Sequence, residues 1–443
     1  MTPLNRRQFI TTASVAAAAA AAMPRRSYAS LSRPDKLRLG LVGCGGRGVG
    51  AVADALLADP ATELVAIADV FADPFENLEA RLVRSISGRP DATLSASAAG
   101  ELVKARATVP QERRFSGFEA YASVCSLDTV DVVLMAAPPV FRPLHLEAAL
   151  AAGKHVFMEK PVCVDPVGVR KMLELAGVAD AKKLSVVAGT QRRHEARYVE
   201  GMKRLQDGQI GEIVGAQCYW LEDKYIGANL KHTDIPPEEM EYQLRNWLTF
   251  IWSSGDHIVE QHMHNIDIVL WALDRTPTQC VALGGRGVDL PMPAYGNRFS
   301  HFAAEFDFDG VSVSSFCRQE QGTHQRVSER IIGTKGVLDF SRRRAQITGE
   351  TPWISAEVQP NPYVQEHVDL IASIRGGKPL NEIRTVTHST AAAMLARECA
   401  YTGRMLKFDW LVNKSQLNHT PAEWAWGPKP IDPLPVPGKT QVV

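Results

Sequence analysis

A glycine-rich segment near the start of the chain could bind the phosphates of a dinucleotide. It fits the pattern G-x-G-x-x-G, and its residues are Gly43, Cys44, Gly45, Gly46, Arg47 and Gly48. In this pattern the first glycine permits a tight turn, the second lets the backbone approach a pyrophosphate, and the third lets the next helix pack on the strand. Asp69 follows roughly 20 residues later, where a carboxylate accepts hydrogen bonds from a ribose and repels a 2′-phosphate. The segment therefore predicts NAD binding, with NADP disfavoured, and a purely structural glycine turn is the alternative.

A lysine is placed to act at the ligand-binding edge of a sheet. The triplet Glu159-Lys160-Pro161 directly follows the apolar run from His155 to Met158. Ligands of open parallel sheets bind at the carboxyl ends of the strands. This position makes Lys160 a candidate site residue, and a solvated surface lysine is the alternative that the triplet alone leaves open.

A histidine-rich segment offers acid–base chemistry. If residues 257–271 are helical, Glu260 and His264 share one face, and Asp267 lies three residues further along it. His262 lies about 200° around the helix from His264, so the two rings do not converge on one metal ion. The pattern favours a histidine oriented by a carboxylate; a metal site and a packed histidine face are the alternatives.

Strands and helices alternate along the first half of the chain and would position these groups. Apolar runs predict strands at 37–42, 64–69, 130–136, 155–158 and 184–189, with helices at 52–57, 143–152 and 167–179. Continuous apolar strands of this kind are typical of a parallel sheet covered on both faces. Residues 81–115 have little periodicity and are expected to form an insertion.

The pattern changes after about residue 195. Strands are predicted at 213–220, 302–308, 311–318 and 326–332, and helices at 364–375 and 387–402. The predicted fold class is α/β, with an N-terminal Rossmann domain and a C-terminal α+β domain that has a mostly antiparallel open sheet. The predicted boundaries are 1–29 for an export signal, 30–190 for the NAD-binding domain, 191–420 for the substrate domain and 421–443 for a Pro-rich tail.

Composition excludes some classes of function. The 443 residues are 45% hydrophobic and 22% charged, and 49 basic side chains balance 49 acidic ones. The chain is long enough for two domains, and its charge balance gives no electrostatic footprint for nucleic acid. The seven cysteines are odd in number and lack paired spacing, which predicts buried thiols and no disulfide framework.

The charge balance conceals a basic leader. The first 29 residues contain four arginines and no acid, and without them 45 bases face 49 acids. Arg6-Arg7 before the Ala-rich run from Thr11 to Met23 has the layout of a twin-arginine export signal, with small residues for cleavage at Ser27-Tyr28-Ala29. The run is shorter than the ~20 residues of a stable membrane span. We expect transport by the twin-arginine machinery, a periplasmic location and no stable membrane anchor.

Taken together, the motifs resemble the Gfo/Idh/MocA family of glucose–fructose oxidoreductase and inositol dehydrogenase, in a branch with twin-arginine leaders. The resemblance rests on the glycine-rich segment, Asp69, the Glu159-Lys160-Pro161 triplet and the helix with Glu260, His264 and Asp267. Further matching segments are 189–193, 363–367, 373–379 and 401–403. His262 stands where the family more often has glycine.

The resemblance implies roles for single residues. Lys160 and His264 correspond to the family's catalytic lysine and histidine, and Glu260 replaces an aspartate, either contacting substrate or orienting His264. Together with the glycine-rich segment and Asp69, the implied cofactor residues are Glu159, Lys160, Gln191 and Arg192. The implied chemistry is hydride transfer between a sugar carbinol carbon and nicotinamide, with His264 as base and Lys160 stabilising charge on oxygen.

The expected enzyme would act on a CH–OH group of a sugar, glycoside or polyol. An exported enzyme has no free nicotinamide pool, so we expect a tightly retained NAD. One alternative is an NAD-dependent glycoside hydrolase that works by transient C3 oxidation and elimination. A second alternative is a non-catalytic sugar or nucleotide sensor on the same fold.

Aromatic and polar residues between 219 and 252 are expected to contact the carbohydrate substrate. The candidates are Tyr219, Trp220, Tyr225, Arg245, Trp247 and Trp252, with ordinary packing as the alternative for each. A homodimer or homotetramer is expected from the family resemblance. The tail from Pro421 onward carries Trp424 and Trp426, and would lie either across a neighbouring subunit or on its own chain.

Overall fold

The computed structural model of this protein describes residues 36–356 and 360–443. The predicted export signal at 1–29 lies outside the described residues. Residues 37–443 form one unit that contains two sheets. Within the described ranges, no helix combines the length and the apolar character that a membrane crossing needs.

The first sheet of the described chain has six strands, and every neighbouring pair runs parallel. Its order is β3-β2-β1-β4-β5-β6. The strands are β1 (Leu37–Val42), β2 (Thr62–Asp69), β3 (Arg114–Ser116), β4 (Val132–Met135), β5 (His155–Met158) and β6 (Val186–Ala188). Because the chain order reverses between β1 and β4, a crevice opens at their carboxyl ends. The predicted Rossmann sheet is confirmed.

Helices cover both faces of this sheet. They are α1 (Gly46–Ala58), α2 (Leu78–Ser87), α3 (Ala96–Arg106), α4 (Ala120–Ser126), α5 (Arg142–Ala151) and α6 (Pro166–Lys182). The segment 81–115, which has little periodicity and is expected to be an insertion, forms most of α2, all of α3 and the start of the edge strand β3. In α3 only Ala99 and Val103 are buried, so the helix has too small an apolar stripe to be recognised by periodicity.

The second sheet has nine strands within the described residues and is mostly antiparallel, as predicted. Its order is β14-β13-β12-β11-β7-β10-β9-β8-β15, and only the β7–β10 pair is parallel. The strands are β7 (Ile213–Glu222), β8 (Gln279–Gly285), β9 (His301–Asp307), β10 (Ser312–Gln319), β11 (Arg326–Gly333), β12 (Gly336–Ser341), β13 (Ala345–Gly349), β14 (Trp353–Ile354) and β15 (Leu406–Lys407).

The remaining helices join the two sheets. They are α7 (Ala196–Gln206), α8 (Met240–Arg245), α9 (Ile251–Ser254), α10 (Met263–Leu273), α11 (Pro362–Arg375), α12 (Ile383–Thr402) and α13 (Phe408–Asn413). A π-helical turn at Ile258–His262 precedes α10. Helices α10 and α12 pack on the inner face of the second sheet, and α11 packs on α1 of the first domain. One apolar core therefore extends from Met158 of the first sheet to Phe306 of the second, and holds the carboxyl ends of the parallel strands against α10.

Candidate active site

The glycine-rich segment turns sharply from β1 into α1. Gly43 has a φ of 96°, and a side chain there would collide with the backbone of Ala137. A Cβ at Gly48 would overlap the Gly43 carbonyl oxygen, so only glycine lets α1 pack this closely on the turn. At Gly45 and Gly46, by contrast, a side-chain Cβ would meet no atom within 4 Å other than those of its chain neighbours, so the space beside this backbone is open. Open backbone at a helix N-terminus is suited to a phosphate group, so the segment fits the pyrophosphate of NAD.

Asp69 ends β2 and holds this segment in place. Its Oδ2 accepts a hydrogen bond from the Cys44 N–H at 2.7 Å, and its Oδ1 accepts one from the Phe71 N–H at 3.0 Å. Burial raises the pKa of this carboxyl above its ordinary value. Each oxygen can accept a further hydrogen bond, so the carboxylate remains suited to a ribose.

A cavity of about 350 Å³ lies along the carboxyl ends of β1, β2 and β4. Its lining comes from both parts of the chain and includes Gly45, Asp69, Phe71, Pro138, Arg245 and Trp247. The size falls within the range of small-molecule pockets. The open glycine backbone, the ribose-type carboxylate and the apolar walls meet in this one space, and the residues present therefore fit the nucleoside end of NAD.

Arg47 connects the glycine-rich segment to the strand that carries the lysine. Its guanidinium donates to the carboxylates of Glu159, of Asp54 at 3.2 Å and of Glu366 at 3.1 Å, and lies 5.0 Å from the centre of the Tyr363 ring. Although burial opposes it, these three carboxylates raise the pKa of Arg47. Arg47 and Glu159, both predicted to bind cofactor, thus contact each other and fix the segment against the end of β5.

Lys160 and Glu260 form an ion pair between the two domains. The Lys160 Nζ donates to Glu260 Oε1 at 2.9 Å and also to the Glu260 backbone carbonyl. Only 10% of the lysine side chain and 11% of the glutamate side chain are exposed. The expectation that Glu260 orients His264 is corrected, because its carboxylate accepts from Lys160. The π-helical turn at Ile258–His262 is wider than an α-helical turn, so the four-residue spacing does not stack Glu260 on His264.

His264 lies at the start of α10, buried beside the lysine. Its ring is stacked on that of Trp220, with centroids 5.9 Å apart and planes inclined by 23°. Burial, together with the positive charges of Lys160 and Arg192, lowers the pKa of His264 well below the ordinary value. The imidazole is therefore neutral at physiological pH, which is the form that accepts a proton.

The neighbouring acid and histidine serve the fold. Helical spacing predicts Asp267 on the His264 face, but Asp267 accepts two hydrogen bonds at 2.9 Å from the guanidinium of Arg193 and one at 2.6 Å from Ser389. His262 lies 2.7 Å from the Ser315 hydroxyl, and burial lowers its pKa to about 3. In the described ranges, no group of three ligating side chains is arranged to hold a metal ion.

Gln191 and Arg192 lie on the short 3₁₀ turn that follows β6. The Gln191 amide donates to the Tyr363 hydroxyl at 3.2 Å. Arg192 donates to Glu329 at 2.5 Å, and its guanidinium lies 5.5 Å from the centre of the Trp220 ring. Arg192 therefore supports the aromatic wall beside His264 while its charge contributes to the low pKa of that histidine.

Three of the six residues expected to contact substrate, Tyr225, Arg245 and Trp252, have other contacts in the structure. Tyr225 accepts a hydrogen bond from Arg298 at 2.8 Å and is buried, and the Trp252 indole donates to Gln243 at 2.7 Å. Arg245 lies at the nucleoside end of the cavity. Tyr225 and Trp252 therefore have packing contacts, Arg245 contacts the Rossmann domain, and their contact with substrate stays a prediction. Trp220 is the aromatic candidate that the structure brings to His264.

Sequence reasoning missed the aromatic surface around the cavity. Trp424 stacks on Phe141 at 4.2 Å between centroids, and Trp426 lies 4.6 Å from Phe118. The tail packs on its own chain, which is one of its two expected positions. The available signal was a pair of tryptophans in a polar, Pro-rich segment, which need an apolar surface that the tail does not itself supply.

Comparisons with known proteins agree with this arrangement. Residues 37–187 match the model of an oxidoreductase family with an NAD-binding Rossmann fold, GFO_IDH_MocA. An inositol 2-dehydrogenase of Rhizobium meliloti is 24% identical over 278 residues, which cover 59% of this chain and 72% of that protein. A glycosyl hydrolase family 109 protein of Streptomyces coelicolor is 24% identical over 187 residues, which cover 42% of this chain but only 34% of that protein.

A solved levoglucosan dehydrogenase, in complex with NADH and levoglucosan, shares the fold. Its TM-score is 0.63 at 15% identity, and the alignment covers 84% of this chain and all of that one. This likeness shows the architecture, with the parallel sheet first and the mostly antiparallel sheet second. The match over residues 37–187 identifies NAD as the cofactor of the first domain.

Proposed function

We propose that this chain, an oxidoreductase of the Gfo/Idh/MocA family whose residues 37–187 form an NAD-binding Rossmann domain, acts on a CH–OH group of a sugar, glycoside or related polyol. The observation that carries the proposal is the buried Lys160–Glu260 pair next to a neutral His264. This group of three lies at the carboxyl end of β5, on the edge of the sheet where the glycine-rich segment also lies.

Lys160, Glu260 and His264 have different roles in the oxidation of the alcohol. An alcohol proton is too weakly acidic to leave unaided, so a base must accept it as the carbon is oxidised; such catalysis is typically worth ~10²–10⁴-fold. His264 is buried and neutral, so its unprotonated ring nitrogen can accept that proton. The Lys160 ammonium stabilises negative charge that develops on the substrate oxygen. Glu260 holds the ammonium in position. When bound, the nicotinamide supplies the hydride chemistry.

A carbohydrate is the substrate class that this site favours. Trp220 presents an aromatic face beside His264, and aromatic faces pack well against the C–H groups of a sugar ring. The relatives named for inositol and levoglucosan also act on polyhydroxylated rings. We propose that the same class of ring binds between Trp220 and Lys160.

Glycoside hydrolysis is the second candidate, because one relative is named as a family 109 glycosyl hydrolase. Oxidation of the C3 hydroxyl to a ketone acidifies the C2 proton. Loss of that proton expels the group at C1, water then adds to the double bond, and the ketone is reduced again. The net reaction is hydrolysis with no net change in NAD, and Lys160 and His264 serve its oxidation and re-reduction steps at C3.

Site variants and a substrate panel test the proposal. Purified protein is incubated with sugars, polyols and nitrophenyl glycosides, with and without NAD, while NADH and nitrophenol are followed. Lys160→Ala and His264→Ala should abolish turnover, whereas the surface controls Lys171→Ala and His324→Ala should retain it. Unchanged turnover in both site variants would refute the assignment. Nitrophenol release without added cofactor and without NADH would favour hydrolysis, and its absence across the panel would exclude it.

We also propose a periplasmic location, reached through the leader at 1–29, with NAD carried inside the folded enzyme. The leader's arginine pair and its short apolar run support the first part, and the lack of a free nicotinamide pool outside the cytoplasm supports the second. Cell fractionation of the wild type and of Arg6→Lys/Arg7→Lys tests export. Mass spectrometry of the cofactor released from denatured protein tests retention; protein exported without nucleotide would contradict it.

A homodimer or homotetramer is proposed as the assembly. The outward face of the second sheet carries exposed apolar side chains at Leu283, which is 77% exposed, and at Val281 and Phe316. Apolar patches on an open sheet are typical of association surfaces. Light scattering of the wild type and of Leu283→Lys tests this, and a wild-type monomer at micromolar concentration would contradict it.

A further inference from the structure

The C-terminal tail packs against the outer side of the cavity that fits NAD. We define the strap as residues 421–431. Trp424 stacks on Phe141 at 4.2 Å, and Trp426 lies 4.6 Å from Phe118 and 5.4 Å from Phe71, measured between ring centroids. All three phenylalanines also line the cavity. The strap therefore places its two tryptophans on the rings that form the cavity wall.

The strap is also bound to helix α8. The Gly427 carbonyl accepts a hydrogen bond from the Met240 N–H at 2.9 Å, and the Lys429 carbonyl accepts one from the Gln243 amide at 2.7 Å. The Lys429 ammonium lies 4.5 Å from the centre of the Trp252 ring. These contacts connect the strap to α8 and α9, which belong to the second domain.

Helix α8 ends at Arg245, which crosses the cavity to the Rossmann domain. Its guanidinium lies 3.8 Å from the centre of the Phe71 ring and donates to Asp73 at 3.1 Å and to Glu241 at 2.8 Å. Only 14% of the Arg245 side chain is exposed. Arg245, Phe71 and Asp73 all line the cavity together with Asp69, so this contact joins the second domain to the Rossmann domain at the cavity wall.

We propose that the strap and Arg245 together form a retaining wall that sets how slowly NAD leaves this protein. The proposal rests on the proposed function only in placing NAD in this cavity. For the nucleotide to leave on this side, the Arg245–Asp73 ion pair must break and α8 must move. The strap opposes that movement, because displacing α8 also separates Trp424 and Trp426 from the three phenylalanines.

Release kinetics of NADH test the wall directly. Protein loaded with NADH is mixed with excess NAD, and the loss of NADH fluorescence gives the dissociation rate without any carbohydrate present. In Trp424→Ser/Trp426→Ser we expect dissociation to be faster by about tenfold or more, since stacked aromatic contacts are lost together. Arg245→Met, which keeps the length and removes the charge, should also speed release. Added salt should speed release from the wild type more than from Arg245→Met, because the Asp73 carboxylate of this ion pair is 54% exposed and salt screens its charge.

The matched control is Trp353→Ser. Trp353 lies on β14, and the Arg204 guanidinium is 4.8 Å from the centre of its ring. This substitution therefore removes a comparable ring contact in the second sheet, away from the cavity. The proposal is overturned if the folded double variant releases NADH within about twofold of the wild type, or if the control accelerates release as much. Thermal unfolding is recorded for each variant; if the double variant does not fold, Arg245→Met alone decides.

The outcomes separate this proposal from the proposed function. If the wild type releases NADH slowly and the wall variants release it faster, but no carbohydrate is oxidised, only the proposed function is refuted. A protein that oxidises a sugar while the wall variants release NADH at the wild-type rate refutes the wall alone.

Discussion

The Lys160–Glu260 pair should be energetically coupled far more strongly than a surface ion pair. At their separation of 2.9 Å, and with an effective dielectric constant of about 20, the gross attraction is about 6 kcal/mol. Desolvation of two side chains that are only 10% and 11% exposed offsets part of it. Removing one partner leaves a buried, unpaired charge, so Lys160→Met and Glu260→Gln should each cost about 3 kcal/mol of unfolding free energy.

The double variant Lys160→Met/Glu260→Gln should be destabilised by less than the sum of the single variants, with a coupling of about 2–3 kcal/mol. Urea unfolding of the four proteins measures it. The surface pair of Lys171 and Glu147, at 2.7 Å but with side chains 29% and 51% exposed, is the control and should couple by less than about 1 kcal/mol. If the double variant loses the sum of the two single losses of unfolding free energy, to within about 0.5 kcal/mol, the reasoning is refuted. Two side chains that interact in solution give a measurable coupling energy instead.

Three further predictions follow from the site. Gly48→Ala should destabilise the fold by about 1–3 kcal/mol, because its Cβ overlaps a backbone carbonyl oxygen, while Gly45→Ala should keep its Tm and lose NADH affinity in a fluorescence titration; equal Tm values for the two variants would contradict this. Asp69→Ser should weaken NAD binding and narrow the preference over NADP in competition titrations, because the ribose acceptor and the negative charge are removed; an unchanged ratio of affinities would contradict it. The lowered pKa values of His264 and His262 mean that the folded state keeps both rings neutral while the unfolded chain protonates them. Unfolding free energy should therefore fall as pH drops below about 6.5, by up to ~1.4 kcal/mol per pH unit for each ring; stability measured by urea unfolding that stays flat from there down to about pH 4 would refute this.

The fold was largely predictable because its first half is encoded locally. The glycine-rich turn at Gly43 and the apolar strands of the first sheet each depend on a few neighbouring residues, and those predictions are confirmed, whereas the helices at 52–57 and 387–402 begin earlier than predicted, at Gly46 and Ile383. The helix α3 was missed because its burial rests on two small side chains, Ala99 and Val103, which leave almost no periodic signal. Where an element is held by packing of its neighbours and not by its own apolar stripe, sequence periodicity fails.

The candidate site was predictable in its residue types but not in its contacts. Lys160 and His264 could be named from motifs, whereas the partner of Glu260 could not, because the π-helical turn at Ile258–His262 breaks the regular spacing on which the prediction relied. Tyr225 and Trp252 have the right chemistry for a sugar site but are used in packing, and nothing in their spacing distinguishes the two uses.

By itself, the sequence of this protein determined the dinucleotide domain and identified Asp69, Lys160 and His264 as candidate site residues. Each of these depends on residues that are close along the chain. Only the tertiary structure decided that Lys160 meets Glu260, 100 residues away, that Trp220 faces His264, and that the tail covers the cavity through Trp424. The physical reason is that such contacts are made by the packing of two sheets on a shared core, and no short-range pattern specifies which distant side chains that packing brings together.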